Sequence, residues 1–305
     1  AGTGYNWVSG KAALNLGFTY GDRFFNDKLG VMLSASYQNN PAGSDDVEMA
    51  YERNENGEVV IDEYEMRQYY VTRERQSYSL ALDWEINANH KIDFKGIFNN
   101  RNDWENRYRT TFKWDDDTAN EYEVIYQTKG GTPNNRNARL ERQRTMDFTL
   151  GGEHLFGKLE MDWKASYAQA GEQRPNERYI GFNREGVAMN TDWSDIRRPY
   201  MSALNADDLV MNADDYGLDE LDESFEDIKE KDLKFSLNFE LPLAKGKFGN
   251  KLKFGAKVVD KDKKKDITFY DYEPTDDYES IFMTDALNHL QNQSRDRYMA
   301  GDRYK

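Results

Sequence analysis

The segment LEMDWKASY (159–167) decides the fold. Leu159, Met161, Trp163, Ala165 and Tyr167 alternate with Glu160, Asp162, Lys164 and Ser166. A period of two sends successive side chains to opposite faces of a strand, so one face is apolar and aromatic and the other is charged. The same pattern recurs in Tyr78–Ile86, LKFSLNFEL (233–241) and LKFGAKV (252–258). A strand with lipid on one side and water on the other reads this way.

Working outward by parity places eight strands. The first holds Leu14, Leu16, Phe18 and Tyr20, and the second Leu29, Val31, Leu33, Ala35 and Tyr37. The third is 78–86, the fourth holds Ile92, Phe94, Gly96 and Phe98, and the fifth runs from Met146 to Phe156. The sixth, seventh and eighth are 159–167, 233–241 and 252–258. Between successive apolar anchors lie 8, 40, 5, 47, 2, 65 and 10 residues, with 47 after the last. Short and long connections alternate throughout. Soluble sandwiches have short connections at both ends, whereas outer-membrane barrels have short periplasmic turns and long extracellular loops. The expected fold is therefore all-β, an antiparallel transmembrane β-barrel. Strand pairs fall at about 12–37, 75–101, 142–170 and 230–260, with extracellular loops at about 38–74, 112–140, 171–229 and 261–305. The turns at 87–91, 157–158 and 242–251 face the periplasm, and Asn87, Asn89, Gly157, Gly246 and Gly249 supply residues that tolerate positive φ.

Energetics chooses the faces. Lys91, Asp93 and Lys95 share one face of the fourth strand, and Glu160, Asp162 and Lys164 one face of the sixth. A Lys or Arg in mid-membrane costs about 2–4 kcal/mol, so the charged face is the lumen. Tyr20, Tyr37, Tyr78, Trp84 and Tyr167 lie at strand ends on the apolar face, where interfacial aromatic girdles sit.

Composition agrees. Mean hydropathy is −0.98 and no run approaches a membrane-spanning helix, yet 14% of residues are aromatic. There is no cysteine, so thiolate metal sites and disulfides are excluded. The net charge of −15 concentrates in two excursions: 38–77 carries 10 acids and 4 bases, and 168–232 carries 17 acids and 7 bases. Such acidity argues against nucleic acid and against anionic lipid headgroups as partners.

These hairpins resemble known ones. ALNLGFTYGDRFFNDKLGVMLSASYQNN (13–40), SLALDWEINANHKIDFKGIFNNR (79–101) and TLGGEHLFGKLEMDWKASYAQA (149–170) are similar to barrel hairpins of TonB-dependent outer-membrane receptors of the Bacteroidetes type, with GDRFFNDKLG (21–30) as the periplasmic turn. The resemblance implies a 22-stranded, plugged barrel of a Gram-negative cell outer membrane. Such a receptor imports a siderophore, cobalamin, glycan or peptide by plug rearrangement. It implies as partners the outer-membrane lipids, the energy-coupling TonB complex through a plug domain, and a surface lipoprotein cap. Within these residues the expectation is about eight strands, with neither plug nor signal peptide. The expectation is an incomplete barrel over 1–305, an internal piece of a longer one. The alternative is a structural or adhesive barrel whose acidic loops bind a ligand or cations.

Two aromatic and basic stretches are candidate substrate-binding surfaces: Arg101, Trp104, Arg107 and Trp114 in the first, and Arg178, Tyr179 and Trp193 in the second. Stacking and charge there suit an anionic or sugar ligand. Residues 212–223, with Asn212, Asp214, Gly217 and Glu223, approach a calcium-loop pattern, and 115–117 is a run of three Asp. The expectation is nevertheless no resident cofactor, a divalent cation such as calcium in the acidic loops being the exception. His90, His154 and His289 are scattered, and no nucleophile elbow or phosphate-binding glycine loop occurs, so no metal centre and no enzyme activity are expected.

Overall fold

In the computed structural model, residues 1–54, 56–114, 121–130, 138–192, 194–195, 197, 199–204, 215–243 and 250–273 are described. Among them, alternation becomes eleven strands: β1 (Gly2–Asn6), β2 (Lys11–Phe24), β3 (Leu29–Arg53), β4 (Val59–Asn87), β5 (His90–Trp114), β6 (Glu121–Gly130), β7 (Arg139–Phe156), β8 (Leu159–Asp192), β9 (Tyr200–Ala203), β10 (Gly217–Pro242) and β11 (Lys251–Asp271). All eight segments predicted from parity lie inside strands. The fold is all-β, an antiparallel meander of the kind that builds β-barrels, in the order β1-β2-β3-β4-β5-β6-β8-β10-β11. β6 and β7 lie end to end in one lane. β5 pairs with β7 from His90 to Glu105 and with β6 from Arg107 to Trp114, and β8 flanks both from the other side. Among the described residues no ladder joins β11 to β1 or β2.

The β2–β3, β4–β5 and β7–β8 turns fall at one end, and the β1–β2 and β3–β4 strand pairs close at the other, at Asn6↔Lys11 and Arg53↔Val59. Gly157 adopts φ +67° in the β7–β8 turn, as a two-residue hairpin requires. In the β2–β3 turn the left-handed residues are Phe25, Asn26 and Asp27 (φ 55°, 54° and 63°). The glycines at 21 and 30 are paired within the strands instead. Gly30 is small for another reason: a Cβ there would lie 2.2 Å from Asp83 Oδ1, in the space of the Arg23–Asp83 ion pair.

The spans expected as loops, 38–74, 112–140, 171–229 and 261–305, are mostly strand where they are described. β3 and β4 remain in register out to Arg53↔Val59, and β8 and β10 out to Asn183↔Gly217. Polar residues occupy both faces there, so the period-two hydropathy signal disappears. Cross-strand ion pairs and Tyr, Thr and Val side chains carry the ladder instead.

Register shows how the faces align. The row Phe94, Leu82, Val31 on β5, β4 and β3 continues through Leu150 of β7, Ala165 of β8, Phe235 of β10 and Val258 of β11. Apolar residues fill about five such rows. Nine residues at about 3.3 Å each give ~30 Å along the strand. Tilted by about 40°, that is a band roughly 23 Å tall, close to the apolar band of outer-membrane barrels. Its side chains are uncovered: Phe18, Phe254 and Val258 are 58%, 54% and 65% exposed. The buried apolar core lies elsewhere, at the end opposite the β2–β3, β4–β5 and β7–β8 turns. There Phe112, Tyr122, Val124, Phe182, Val187 and Met189 pack beneath Tyr216, with Met201 and Ala203 of β9 alongside.

Candidate functional site

The other face of the sheet carries charge, and above the apolar band its side chains join into one network. Arg73 donates to Asp103 at 2.7 Å, and Arg101 bridges Asp103 (3.2 Å) and Glu141 (2.8 Å). Arg139 pairs with Glu141 (2.7 Å) and Glu177 (3.2 Å). Lys129 pairs with Glu177 (3.2 Å) and Glu105 (3.0 Å), and Arg174 with Glu172 (3.0 Å) and Glu226 (3.2 Å). β4, β5, β6, β7, β8 and β10 all contribute, and Asp103, Arg139, Glu141 and Glu177 are buried. Buried charges persist only when paired and hydrogen-bonded, and each of these has two or more partners.

Tyr179 stands in this network. Its hydroxyl donates to Glu177 at 2.7 Å, and the Arg107 guanidinium and the Lys129 ammonium lie 5.6 and 5.7 Å from its ring centroid. Burial pushes the Tyr179 hydroxyl well up, and the Glu177 carboxylate pushes it further. Burial would raise the Glu177 carboxyl too, but the Tyr179 hydrogen bond, Arg139 and Lys129 outweigh it and hold it below the usual carboxylate range. Farther along β10, burial beside Glu220 and Asp271 pushes the Asp222 carboxyl up to about 6. The Nε–H groups of Arg101, Arg107, Arg109 and Arg174 are buried with no acceptor among the protein's described atoms.

The structure divides the predicted site residues between the two faces. Arg101, Arg107 and Tyr179 meet on the charged face. Trp104 faces the opposite side, across from Thr72 and Leu140. Trp114 is on that side as well, against the buried core. Arg178 also points away, giving two hydrogen bonds to Glu223 (2.9 and 2.7 Å). The cause is a bulge in β8. Glu177 pairs with Ser224 while Arg174 pairs with Glu226, so β8 carries one extra residue, around Pro175. Proline has no N–H for the ladder and favours such sites. One extra residue reverses face parity, which carries Glu177 and Tyr179 into the charged network and turns Arg178 out of it. Trp193 lies outside the described residues.

The calcium-loop pattern does not fold as a ligand loop where it is described. Tyr216 is fully buried, β10 starts at Gly217, and Glu223 is held by Arg178 and Asn176. Asn212, Asp214 and residues 115–117 lie outside the described residues. No group of three His, Cys, Asp or Glu is placed to hold a metal among the described residues.

Sequence spacing missed one cluster. His90 and His154 are cross-strand partners, with Nδ1 atoms 3.1 Å apart. The Trp163 indole N–H donates to His154 Nε2 at 3.0 Å, so His154 donates through Nδ1 to His90. The positions differ by 64 residues, and only the ladder register between β5 and β7 joins them. His289 lies outside the described residues. Comparison with family models, curated proteins and solved structures yields no match.

Proposed function

We propose that the chain is part of the wall of an outer-membrane β-barrel, apolar face to lipid and charged face to lumen, belonging to a TonB-dependent receptor for nutrient import. The observation that supports it is the uncovered apolar band. Phe, Leu, Tyr, Trp and Val side chains of β2, β3, β4, β7, β10 and β11 stand exposed along this band. Scattered apolar side chains are ordinary on a soluble surface, whereas a continuous band of them marks a membrane or protein contact. The ion-pair wall on the opposite face suits a polar lumen, where Arg101 and the Arg107–Tyr179 pair would meet a ligand rich in oxygen, such as a siderophore, cobalamin, glycan or peptide. Arg101, Arg107 and Tyr179 are the residues we assign to that contact. Energy coupling through a plug and the TonB complex is what the hairpin resemblance adds.

The test is fractionation and gel mobility. The reading expects the chain in the outer-membrane fraction, with a faster band before boiling than after. A protein that stays soluble without detergent, with one mobility, contradicts it. Import is tested separately, by loss of ligand uptake on Arg107→Gln with unchanged outer-membrane level. Unchanged uptake removes the assigned contact.

A further inference from the structure

β11 is the outermost strand on one side of the sheet. Its 21 residues pair with β10 from Pro242↔Lys251 to Asp222↔Asp271, and among the described residues nothing pairs with its other edge. The free N–H and C=O groups of such an edge can take up a further strand, and the side chains set which kind.

One row of the charged face shows the rule. Arg101 of β5 pairs with Glu141 of β7 (2.8 Å), Glu141 with Arg174 of β8 (3.5 Å), Arg174 with Glu226 of β10 (3.2 Å), and Glu226 with Lys265 of β11 (3.4 Å). Cation and acid alternate from strand to strand across five strands, and the series stops on a cation at the open edge. The rest of β11 repeats that ending. On this face it presents Lys251, Lys253, Lys257, Lys261, Lys263 and Lys265, with no acid between the first and the last. On β10, Glu240 is shared by Lys251 and Lys253, and Glu230 by Lys261 and Lys263. Asp232 is held by Lys234 at 2.9 Å. Lys257 lies opposite Ser236 and makes no ion pair among the described residues. Glu160 and Asp162 are one strand farther away, beside Lys164, and Asp162 accepts from Asn238 at 2.7 Å. The β11 lysines therefore have acids on one side only and share them. On the other face, Leu252, Phe254 and Val258 carry the exposed apolar band to the edge.

Two occupants from this chain do not fit. A second copy joined β11 to β11, apolar faces together, sets lysine against lysine on one face and Asp260, Asp262 and Asp266 against their own copies on the other. The far edge of the sheet, β1 and the uncovered part of β2, offers Asn6, Thr19, Arg23 and glycines on the charged face, and no acid. Nor does any stretch of sequence outside the described residues set acids at three successive alternate positions.

We infer that the β11 edge takes up an acidic strand from outside residues 1–305, antiparallel like every other ladder of the sheet. Its carboxylates face the lysines from 251 to 265, and its alternate residues, opposite Leu252 to Val258, are apolar. The assignment of faces to lumen and lipid rests on the barrel reading above.

The experiment folds the whole chain into detergent micelles and adds labelled peptides of about 15 residues, alternating valine with glutamate, glutamine or lysine. Binding is read by fluorescence anisotropy. The glutamate peptide should dock about tenfold more tightly than the glutamine peptide, and the lysine peptide should not dock. K257Q/K263Q should reduce that preference to about threefold. A cysteine at the centre of the peptide's valine face should form a disulfide with Val258→Cys and not with Phe18→Cys on the far edge. Equal docking of the three peptides, trapping at position 18 alone, or dimers of the chain joined through position 258 overturns the inference. So does the absence of any docking, since the lysines then only guard the edge against other strands. Fractionation and gel mobility test the barrel reading separately. Glutamate preference in a chain that stays soluble without detergent sinks that reading and leaves the docking edge. An outer-membrane chain without the preference sinks only the docking edge.

Discussion

Replacing Glu177 by Gln keeps the side chain's volume and removes the charge that two cations share. Glu177 is 7% exposed at its side chain and lies 3.2 Å from both Arg139 and Lys129. Removing one partner of a buried ion pair costs about 3–5 kcal/mol, because the other charge stays desolvated. Here both cations keep a second acid, Arg139 with Glu141 at 2.7 Å and Lys129 with Glu105 at 3.0 Å. We therefore expect about half that range, ~2 kcal/mol. Arg23→Gln is the comparison. Its pair with Asp83 is 41% and 34% exposed, and such pairs contribute at most ~1 kcal/mol. The assay is urea unfolding of the micelle-folded protein at pH 7, with constant m-values as the check that the end states are unchanged. Lys129→Met combined with Glu177→Gln should cost less than the sum of the two by about 1 kcal/mol. Because the Glu177 carboxyl is held low, its contribution is present at neutral pH and is lost as pH falls below the usual carboxylate range. Only the wild type should lose it. If Glu177→Gln costs no more than Arg23→Gln and shows no coupling to Lys129, the network is not desolvated and the reasoning fails.

Two further predictions concern single positions. Asp222 is pushed up to about 6, so the folded state holds a proton that the unfolded chain has already released. Stability therefore falls as pH rises from about 4 to 6. Asp222→Asn should be more stable than wild type at pH 7 and nearly equal to it at pH 4, and a difference independent of pH would refute the assignment. Gly152 has no room for a side chain: a Cβ would lie 2.4 Å from Trp163 Nε1 and 2.8 Å from His154 Nε2. Gly152→Ala should displace the indole, break its hydrogen bond to His154 and cost roughly 1–3 kcal/mol. An unshifted indole N–H resonance with unchanged stability would contradict this.

What was legible in the sequence was the band. Leu, Phe, Tyr and Trp alternating with charge at 78–86, 159–167 and 233–241 specify strands because burial on one face leaves a period of two. The upper sheet was hidden. Over 38–74 both faces are polar, and the ladder there depends on partners such as Arg67 with Asp46 and Arg109 with Glu65, which no local pattern reveals. The bulge at Pro175 was hidden in part. Proline inside an extended run is a visible mark, yet the reversal that brings Tyr179 to Arg107 and removes Arg178 follows only from the pairing of β8 with β10. His90 with His154, and Glu226 with Arg174 and Lys265, are likewise products of register between distant segments.

The central claim is that one face of this sheet meets lipid and the other meets water. The chain has no cysteine, so single cysteines can be placed along β4 from residue 78 to 85 and spin-labelled in reconstituted vesicles. The account predicts oxygen accessibility peaking at 78, 80, 82 and 84. Accessibility to a water-soluble nickel chelate should peak at 79, 81, 83 and 85, two alternations in opposite phase. Alternations in the same phase, or none, would contradict it.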